Sequence, residues 1–274
     1  MGINVTEEAA FSKEITNMPP VAPNVLQITE DQDIPGVLLR DPCHLEIVIP
    51  ARNEAQRLPR TLLRTIEYLE AQPYSSSVVV IDNGSFDHTA DLTSKTWSAR
   101  VPVHLTGCAR PGKGAAVRRG ILTSQADFVG YMDADMATPI ETLDLVMPLL
   151  KKNLAVVGSR RMSGAVLAQR QPPHRALGGM IFRAMSQRIL RELTDTQCGF
   201  KFFAGDLART VARQLTIDGF AFDVEMLSIM SAMGVEIIEV PVIWTDAKGS
   251  KLDAMRDGAR AAMDLYRLSN ARQA

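Results

Sequence analysis

Four short apolar runs each break off at a polar loop, and that repetition limits the folds open to this chain. Leu45-Glu46-Ile47-Val48-Ile49-Pro50 stops at Ala51-Arg52-Asn53-Glu54, and Val78-Val79-Val80-Ile81 stops at Asp82-Asn83-Gly84-Ser85. Val101 to Leu105 leads into a basic glycine loop, Ala109 to Gly114, and Phe128 to Met132 stops at Asp133-Ala134-Asp135. Segments with helical spacing separate the runs: Leu58 to Leu69, Thr89 to Trp97 and Ala115 to Ser124, with Pro139 opening another. Strand alternating with helix predicts an α/β fold, a mostly parallel central sheet flanked by helices. Sheets of that kind bind ligands outside the carboxyl ends of their strands, where all four loops would lie.

The loop after the fourth run carries the sharpest chemistry. Alternate residues of an extended segment point the same way, so Asp133 and Asp135 can face one site. Two carboxylates suit a divalent cation that also carries substrate phosphates, since Mg²⁺ takes one or two carboxylates and fills its shell with phosphate and water oxygens. Two solvated turn aspartates would give the same three residues. The other loops add amides, carboxylates and cations. Arg52, Asn53, Glu54, Asp82, Asn83 and Ser85 can hydrogen-bond a ribose or a base edge, although Asn-Gly-Ser also favours a plain turn. Arg110 to Arg118 is a glycine–lysine–glycine turn before a helix; it lacks the spacing and the Ser/Thr of the usual phosphate loop.

Composition excludes several alternatives. A formal net charge of -1 and 5% aromatic residues give no footprint for nucleic acid. Three scattered cysteines and four scattered histidines form no metal spacing and fit a reducing, cytoplasmic setting. The amino terminus is acidic and polar, unlike a secretory signal, and no run is long enough to span a bilayer. Residues 1–41, rich in proline and poor in periodicity, read as an extension, partly disordered or draped over the domain. Residues 42–274 read as one domain, with halves at about 45–140 and 141–270. In the second half, Ala155 to Gly158, Lys201 to Phe203 and Ile237 to Val242 predict strands. Ala176 to Leu193, Asp223 to Met233 and Leu252 to Ser269 predict helices.

Taken in order, Ile47 to Glu54, Val80 to Asp87, Gly112 to Gly120 and Asp133-Ala134-Asp135 resemble the donor half of an inverting family-2 glycosyltransferase of the GT-A fold. Asp195-Thr196-Gln197-Cys198-Gly199-Phe200-Lys201, Phe222-Asp223-Val224-Glu225 and Trp244-Thr245 with Lys248 to Leu252 resemble its dolichyl-phosphate (polyprenyl-phosphate) glucosyltransferase branch. Two departures stand out. Members acting on polyprenyl phosphate typically carry a membrane anchor, and the usual Asp-Gly-Ser turn reads Asp82-Asn83-Gly84-Ser85 here.

The resemblance implies a UDP- or GDP-sugar donor held by Pro50, Ala51, Arg52, Asn53, Glu54, Asp82, Asn83, Ser85, Lys113, Arg118, Asp133, Ala134 and Asp135. Mg²⁺ or Mn²⁺ would sit on Asp135 and Asp133. For the acceptor it implies Arg160, Arg170, Arg175, Gln197, Lys201 and Lys251. A neutral hydroxyl acceptor needs a base, for which Asp223, then Asp195 and Glu225, are candidates; a phosphate monoester needs positive charge instead. Lipid phosphate and a soluble small molecule both remain open as acceptors, and a non-catalytic sugar-nucleotide-binding subunit is the alternative from another class. The helix from Arg175 to Arg191 has basic residues beside an apolar face (Met180, Ile181, Met185, Ile189). It can rest on a membrane, pack on its own domain, or join a second subunit in a homodimer.

Overall fold

The computed structural model describes residues 29–30, 38–167, 173–245 and 256–271. In chain order the elements are β1 (Thr29–Glu30), β2 (Leu38–Leu39), β3 (Leu45–Ala51), α1 (Leu58–Glu70), β4 (Ser76–Asp82), α2 (Thr89–Ser94), β5 (Val103–Gly107), α3 (Lys113–Leu122) and β6 (Phe128–Met132). A short 3₁₀ turn at Ile140–Thr142 leads into α4 (Leu143–Leu150), followed by β7 (Ala155–Ser159), β8 (Val166–Leu167) and α5 (Pro173–Ile189). The chain continues through β9 (Phe200–Ala204), α6 (Gly205–Gln214), α7 (Phe222–Ala232), β10 (Ile237–Pro241), β11 (Ile243–Trp244) and α8 (Arg256–Ala271).

Seven strands form one sheet in the order β10-β7-β9-β6-β3-β4-β5, and only β9 runs antiparallel to its neighbours. Sheets covered on both faces need strands apolar on both sides, which is why β3 and β4 read as hydrophobic runs with few polar interruptions. Alternate residues divide between two cores. Ile47, Ile49, Val78 and Val80 pack beneath α1 and α4, while Val48, Val79, Ile81 and Tyr131 pack beneath α3, α6 and α7. The carboxyl ends of β3, β4, β5, β6 and β7 share one edge, and β9, running the other way, contributes its beginning there.

The expected elements are present, with additions. Helix α6 and the small parallel pair β8–β11 have no counterpart in the sequence expectation. Helix α5 packs inward, with Ile189 in the core and Met185 against it, and α8 lies alongside. Of the face expected to rest on a membrane, Met185 and Ile189 thus turn to the protein's own interior and Met180 is exposed, while the side chain of Ile181 lies outside the described residues. No helix among the described residues is long and apolar enough to cross a membrane.

Near the end of the expected extension, Arg40 packs against the domain. Its guanidinium is buried, pairing with Glu46 through Nε at 2.7 Å and through Nη2, and donating from Nη2 to the Gly120 carbonyl at 2.7 Å. Thr123 Oγ1 accepts a further bond from Nη1. Glu46 is almost fully buried on β3, so losing Arg40 leaves a carboxylate with only Ser77 Oγ at 3.1 Å. Arg40→Met is expected to cost about 3 kcal/mol in urea unfolding.

Candidate active site

The loops after β3 and β4 are tied to each other. Asn53 adopts a positive φ of 57°, donates its N–H to Ser85 Oγ at 2.9 Å, and accepts from the Phe86 N–H at 2.9 Å. Glu54 N–H reaches Thr89 Oγ1 at 2.8 Å, and Ala55 N–H reaches Asp87 at 3.2 Å. Asp82, beside Ala51 in the sheet register, accepts the Ser85 N–H on Oδ2 at 3.3 Å. Its Oδ1 is buried with no hydrogen-bond partner, an acceptor lacking a donor at the carboxyl end of a central strand. Pro50 and Ala51 form the floor beside it, and Arg52 is exposed.

Asp133 and Asp135 stand at the end of β6 in a tight turn. Met136 has a φ of 51°, and its N–H bonds the Asp133 carbonyl at 3.2 Å; Thr61 Oγ1 donates to the Ala134 carbonyl at 2.7 Å. Asp135 accepts the Ala137 N–H at 3.1 Å. Burial and the like charge of Asp133 raise the pKa of Asp135, so the pair carries more negative charge than its surroundings relieve. A Cβ at Gly199 would lie 2.0 Å from Asp133 Oδ2, so a side chain there would displace this carboxylate from its present position. Among the described residues, no group of three or more His, Cys, Asp or Glu side chains could hold a metal. Any cation here would rest on these two carboxylates and on ligand oxygens.

Two cations face the pair. Lys113, the first residue of α3, places Nζ 2.6 Å from Asp133 Oδ1. Burial opposes its charge, yet Asp133, Asp223 and Asp135 outweigh that and push its pKa up to about 12. Arg57, which the sequence reading passed over, forks onto Glu54 at 2.6 and 2.5 Å. Its Nη1 lies 3.7 Å from Asp135 Oδ2 and is buried without a hydrogen bond. Glu54 thus orients an arginine toward the carboxylates. The signal was available as a Glu–Arg pair three residues apart at the start of α1.

The basic glycine loop is not an open phosphate cradle. Gly112, at a φ of 129°, fits so closely that a Cβ would lie 2.1 Å from the Asp218 carbonyl. That carbonyl accepts the Ala115 N–H at 3.2 Å, and Arg110 pairs with the Asp218 carboxylate at 2.8 Å. Asn83, expected on the nucleotide, is committed to this loop. Its Nδ2 donates to the Cys108 and Arg110 carbonyls at 3.2 and 2.7 Å, and its Oδ1 accepts the Gly112 N–H at 2.8 Å. Arg118 is likewise set apart: it lines a cavity of about 260 Å³ with Arg110, Arg119, Leu122 and Asp218, which none of the Asp82, Asp133 and Asp135 side chains borders.

On the acceptor side, Arg160, Asp195, Lys201, Asp223 and Glu225 are held by internal partners. Asp195 accepts a forked pair from Arg160 at 2.7 and 2.9 Å and backbone N–H groups of Arg160 and Gln197 at 3.0 Å each. Burial alone would raise its pKa, but the Arg160 hydrogen bond and charge lower it to about 2. Glu225 holds the Thr216 hydroxyl at 2.6 Å and the Thr216 and Ile217 N–H groups. Asp223, 2% exposed, takes Lys201 Nζ at 2.5 Å and the Tyr131 hydroxyl. Lys201, 0% exposed, also donates to the Cys198 carbonyl at 2.5 Å and cannot reach an acceptor from there. Burial pushes the Cys198 thiol up to about 11, in keeping with a packing role. Gln197 is half-buried beside Asp195. Arg170 and Lys251 lie outside the described residues, as do Lys248 and the side chain of Arg175.

The Asp195 clasp has a pH signature. A carboxylate whose pKa falls on folding stabilises the native state above its unfolded value of 3.8 and loses that contribution as pH drops through about 2. The stability gap between the wild type and Asp195→Asn should therefore narrow by about 2 kcal/mol across that window. Denaturant titrations at stepped pH measure it.

Comparison with known proteins identifies relatives of the chain. The sequence profile of Glycosyl transferase family 2 matches residues 46–209. Dolichyl-phosphate beta-glucosyltransferase of Dictyostelium discoideum is 34% identical over 246 residues, covering 83% of this chain and 74% of that protein. The Homo sapiens enzyme of that name is 30% identical over 240 residues, covering 81% and 74%. Among solved structures, glucosyl-3-phosphoglycerate synthase from Mycobacterium tuberculosis, in complex with Mn²⁺ and UDP-glucose, superposes with a TM-score of 0.61. That match covers 83% of this chain and 79% of the other at 18% identity, a likeness of fold.

Proposed function

The chain belongs to glycosyl transferase family 2, and from that premise we propose that it moves glucose from a nucleoside diphosphate to the phosphate monoester of a polyprenyl-type lipid. The observation that carries the acceptor reading is the state of the three acceptor-side carboxylates. Asp195 and Glu225 spend both carboxylate oxygens on internal donors, and Asp223 is paired through Oδ1 with the buried Lys201 ammonium, a counter-charge that makes it a weak base for a hydroxyl nucleophile. A phosphate monoester is already anionic and needs none. The names of the relatives support glucose and a lipid phosphate, and the UDP-glucose of the structural neighbour supports UDP as the carrier.

In this reading the unpartnered Asp82 Oδ1 accepts a hydrogen bond from the nucleoside, with the knitted Asn53–Ser85 loops walling the pocket. Asp133 and Asp135 fit a divalent cation: two carboxylates, one with a raised pKa, leave the remaining positions to diphosphate and water oxygens. Mn²⁺ or Mg²⁺ held there would supply charge to offset that growing on the leaving diphosphate. Lys113 and Arg57 aim fixed positive charge at the same region, where it favours the transition state over the ground state. Attack from the opposite face inverts the anomeric centre. On the acceptor side, Arg161 and Arg183 hold uncommitted positive charge, and Arg183 Nε is buried without a partner.

A product assay with UDP-glucose, Mn²⁺ and paired acceptors tests the reading. Polyprenyl phosphate should be glucosylated at least about a hundredfold faster than the matching polyprenol, the factor a missing general base removes. Equal rates on the alcohol would sink the anionic-acceptor reading. Transfer confined to a soluble phosphorylated acceptor would place the enzyme on small molecules instead.

A further inference from the structure

The paired strands β8 and β11 form an apolar ribbon that the donor and acceptor chemistry does not use. Val166, Leu167 and Ile243 are 52–59% exposed, and Met162 in the turn before them is 40% exposed. Large aliphatic side chains gathered on a soluble surface mark a contact with something apolar. The ribbon's position is defined by its bonds. Val242 N–H reaches the Ser159 carbonyl at 3.1 Å, and Val166 N–H reaches the Val242 carbonyl at 3.1 Å. The ribbon therefore continues from the carboxyl ends of β7 and β10, on the edge that carries the catalytic loops. Thr245 N–H then bonds the Ala137 carbonyl at 2.9 Å, fastening the ribbon two residues from Asp135.

Its flanks are basic and aromatic. Arg160 lies over the Trp244 ring, 5.6 Å from the centroid. Arg161 is exposed immediately before Met162, close enough to Arg183 that, after partial burial, the charge of Arg183 lowers its pKa. Aliphatic tips, a tryptophan, and Arg161 and Arg183 without carboxylate partners among the described residues match the layers of a bilayer surface: acyl chains, the interfacial zone and anionic headgroups.

We propose that the β8–β11 ribbon docks this enzyme onto an anionic bilayer, with Leu167 and Ile243 entering the acyl boundary and Arg161 and Arg183 meeting headgroup phosphates. A membrane on this edge faces the carboxylate loop at Asp135 through the Thr245–Ala137 bond, so a lipid acceptor in the bilayer plane lies at the mouth of the site. The docking rests on the ribbon's own exposure and charge, and only its orientation toward an acceptor depends on the function proposed above.

Vesicle co-sedimentation of the full chain, without donor or acceptor lipid, tests it. Phosphatidylcholine vesicles are compared with vesicles that also contain phosphatidylglycerol. Binding should favour the anionic vesicles, and Leu167→Glu with Ile243→Glu should reduce partitioning at least about tenfold. Arg161→Gln with Arg183→Gln should erase most of the anionic preference, at roughly fivefold per arginine. The thermal shift given by UDP-glucose with Mn²⁺ should be unchanged in the Leu167/Ile243 variant, which separates a docking defect from a donor-site defect. Absence of wild-type binding to anionic vesicles, or undiminished binding by the Leu167/Ile243 variant, would overturn the proposal. So would a wild-type dimer in light scattering that this variant splits, because the ribbon would then be covering a second copy.

Discussion

Asp135→Asn is expected to lower glucosyl transfer by about a thousandfold, the loss seen when one preorganised electrostatic contact to a developing charge is removed. Stability should move the other way. The carboxyl of Asp135 has a raised pKa in the folded chain, because burial and then Asp133 disfavour its charge. A group raised on folding stabilises the native state below its unfolded pKa and loses that contribution as pH rises through the folded value. At neutral pH the ionised Asp135 is therefore a cost, and the asparagine variant should melt at or slightly above the wild-type temperature without metal. It should also lose the Mn²⁺-induced rise in melting temperature. Full activity in this variant would remove Asp135 from the site, and a large drop in its melting temperature would recast it as a structural residue.

The second large effect concerns Lys201. Lys201→Met should destabilise the fold by about 3–5 kcal/mol, because Asp223 would remain buried with the Tyr131 phenol as donor and no directly bonded counter-charge. For a chain of this size that corresponds to a fall of roughly 10 °C in melting temperature. Adding Asp223→Asn should recover most of the loss, since removing both members of a buried pair costs far less than removing one. An acceptor-binding lysine would behave differently: KM for the acceptor would rise and unfolding would hardly change. Calorimetry on the single and double variants, beside acceptor kinetics, separates the two outcomes.

The strands of the first half were legible because their information is local. Uninterrupted β-branched runs such as Val78 to Ile81 identify strands buried on both faces, and the polar residues ending them must collect at one sheet edge. Partnerships between distant charges were not legible in that way. Lys201 and Asp223 are 22 residues apart, and Asn83 meets Gly112 across 29, so nothing in their neighbourhoods says that they satisfy each other. Charged or amide residues inside matched motifs read as ligand contacts when several hold the protein's own loops. Arg40 was lost for the opposite reason, being a buried arginine at the end of a proline-rich segment whose composition suggests solvent. The β8–β11 pair, two residues per strand, is too short for any hydrophobic period to register.

The Lys113–Asp133 contact carries a thermodynamic consequence. With Nζ 2.6 Å from Oδ1, the lysine's charge is engaged by a carboxylate that a divalent cation would also use. A cation taking Asp133 weakens that grip and frees the ammonium for a diphosphate, and a diphosphate drawing Lys113 away leaves Asp133 more negative for the cation. Two ligands that compete for opposite ends of one ion pair assist each other. Linkage requires the assistance to be mutual: the factor by which metal tightens nucleotide binding equals the factor by which nucleotide tightens metal binding. If the function proposed above holds, metal and nucleotide together are expected to bind far more tightly than either alone, a cooperativity encoded in one salt bridge.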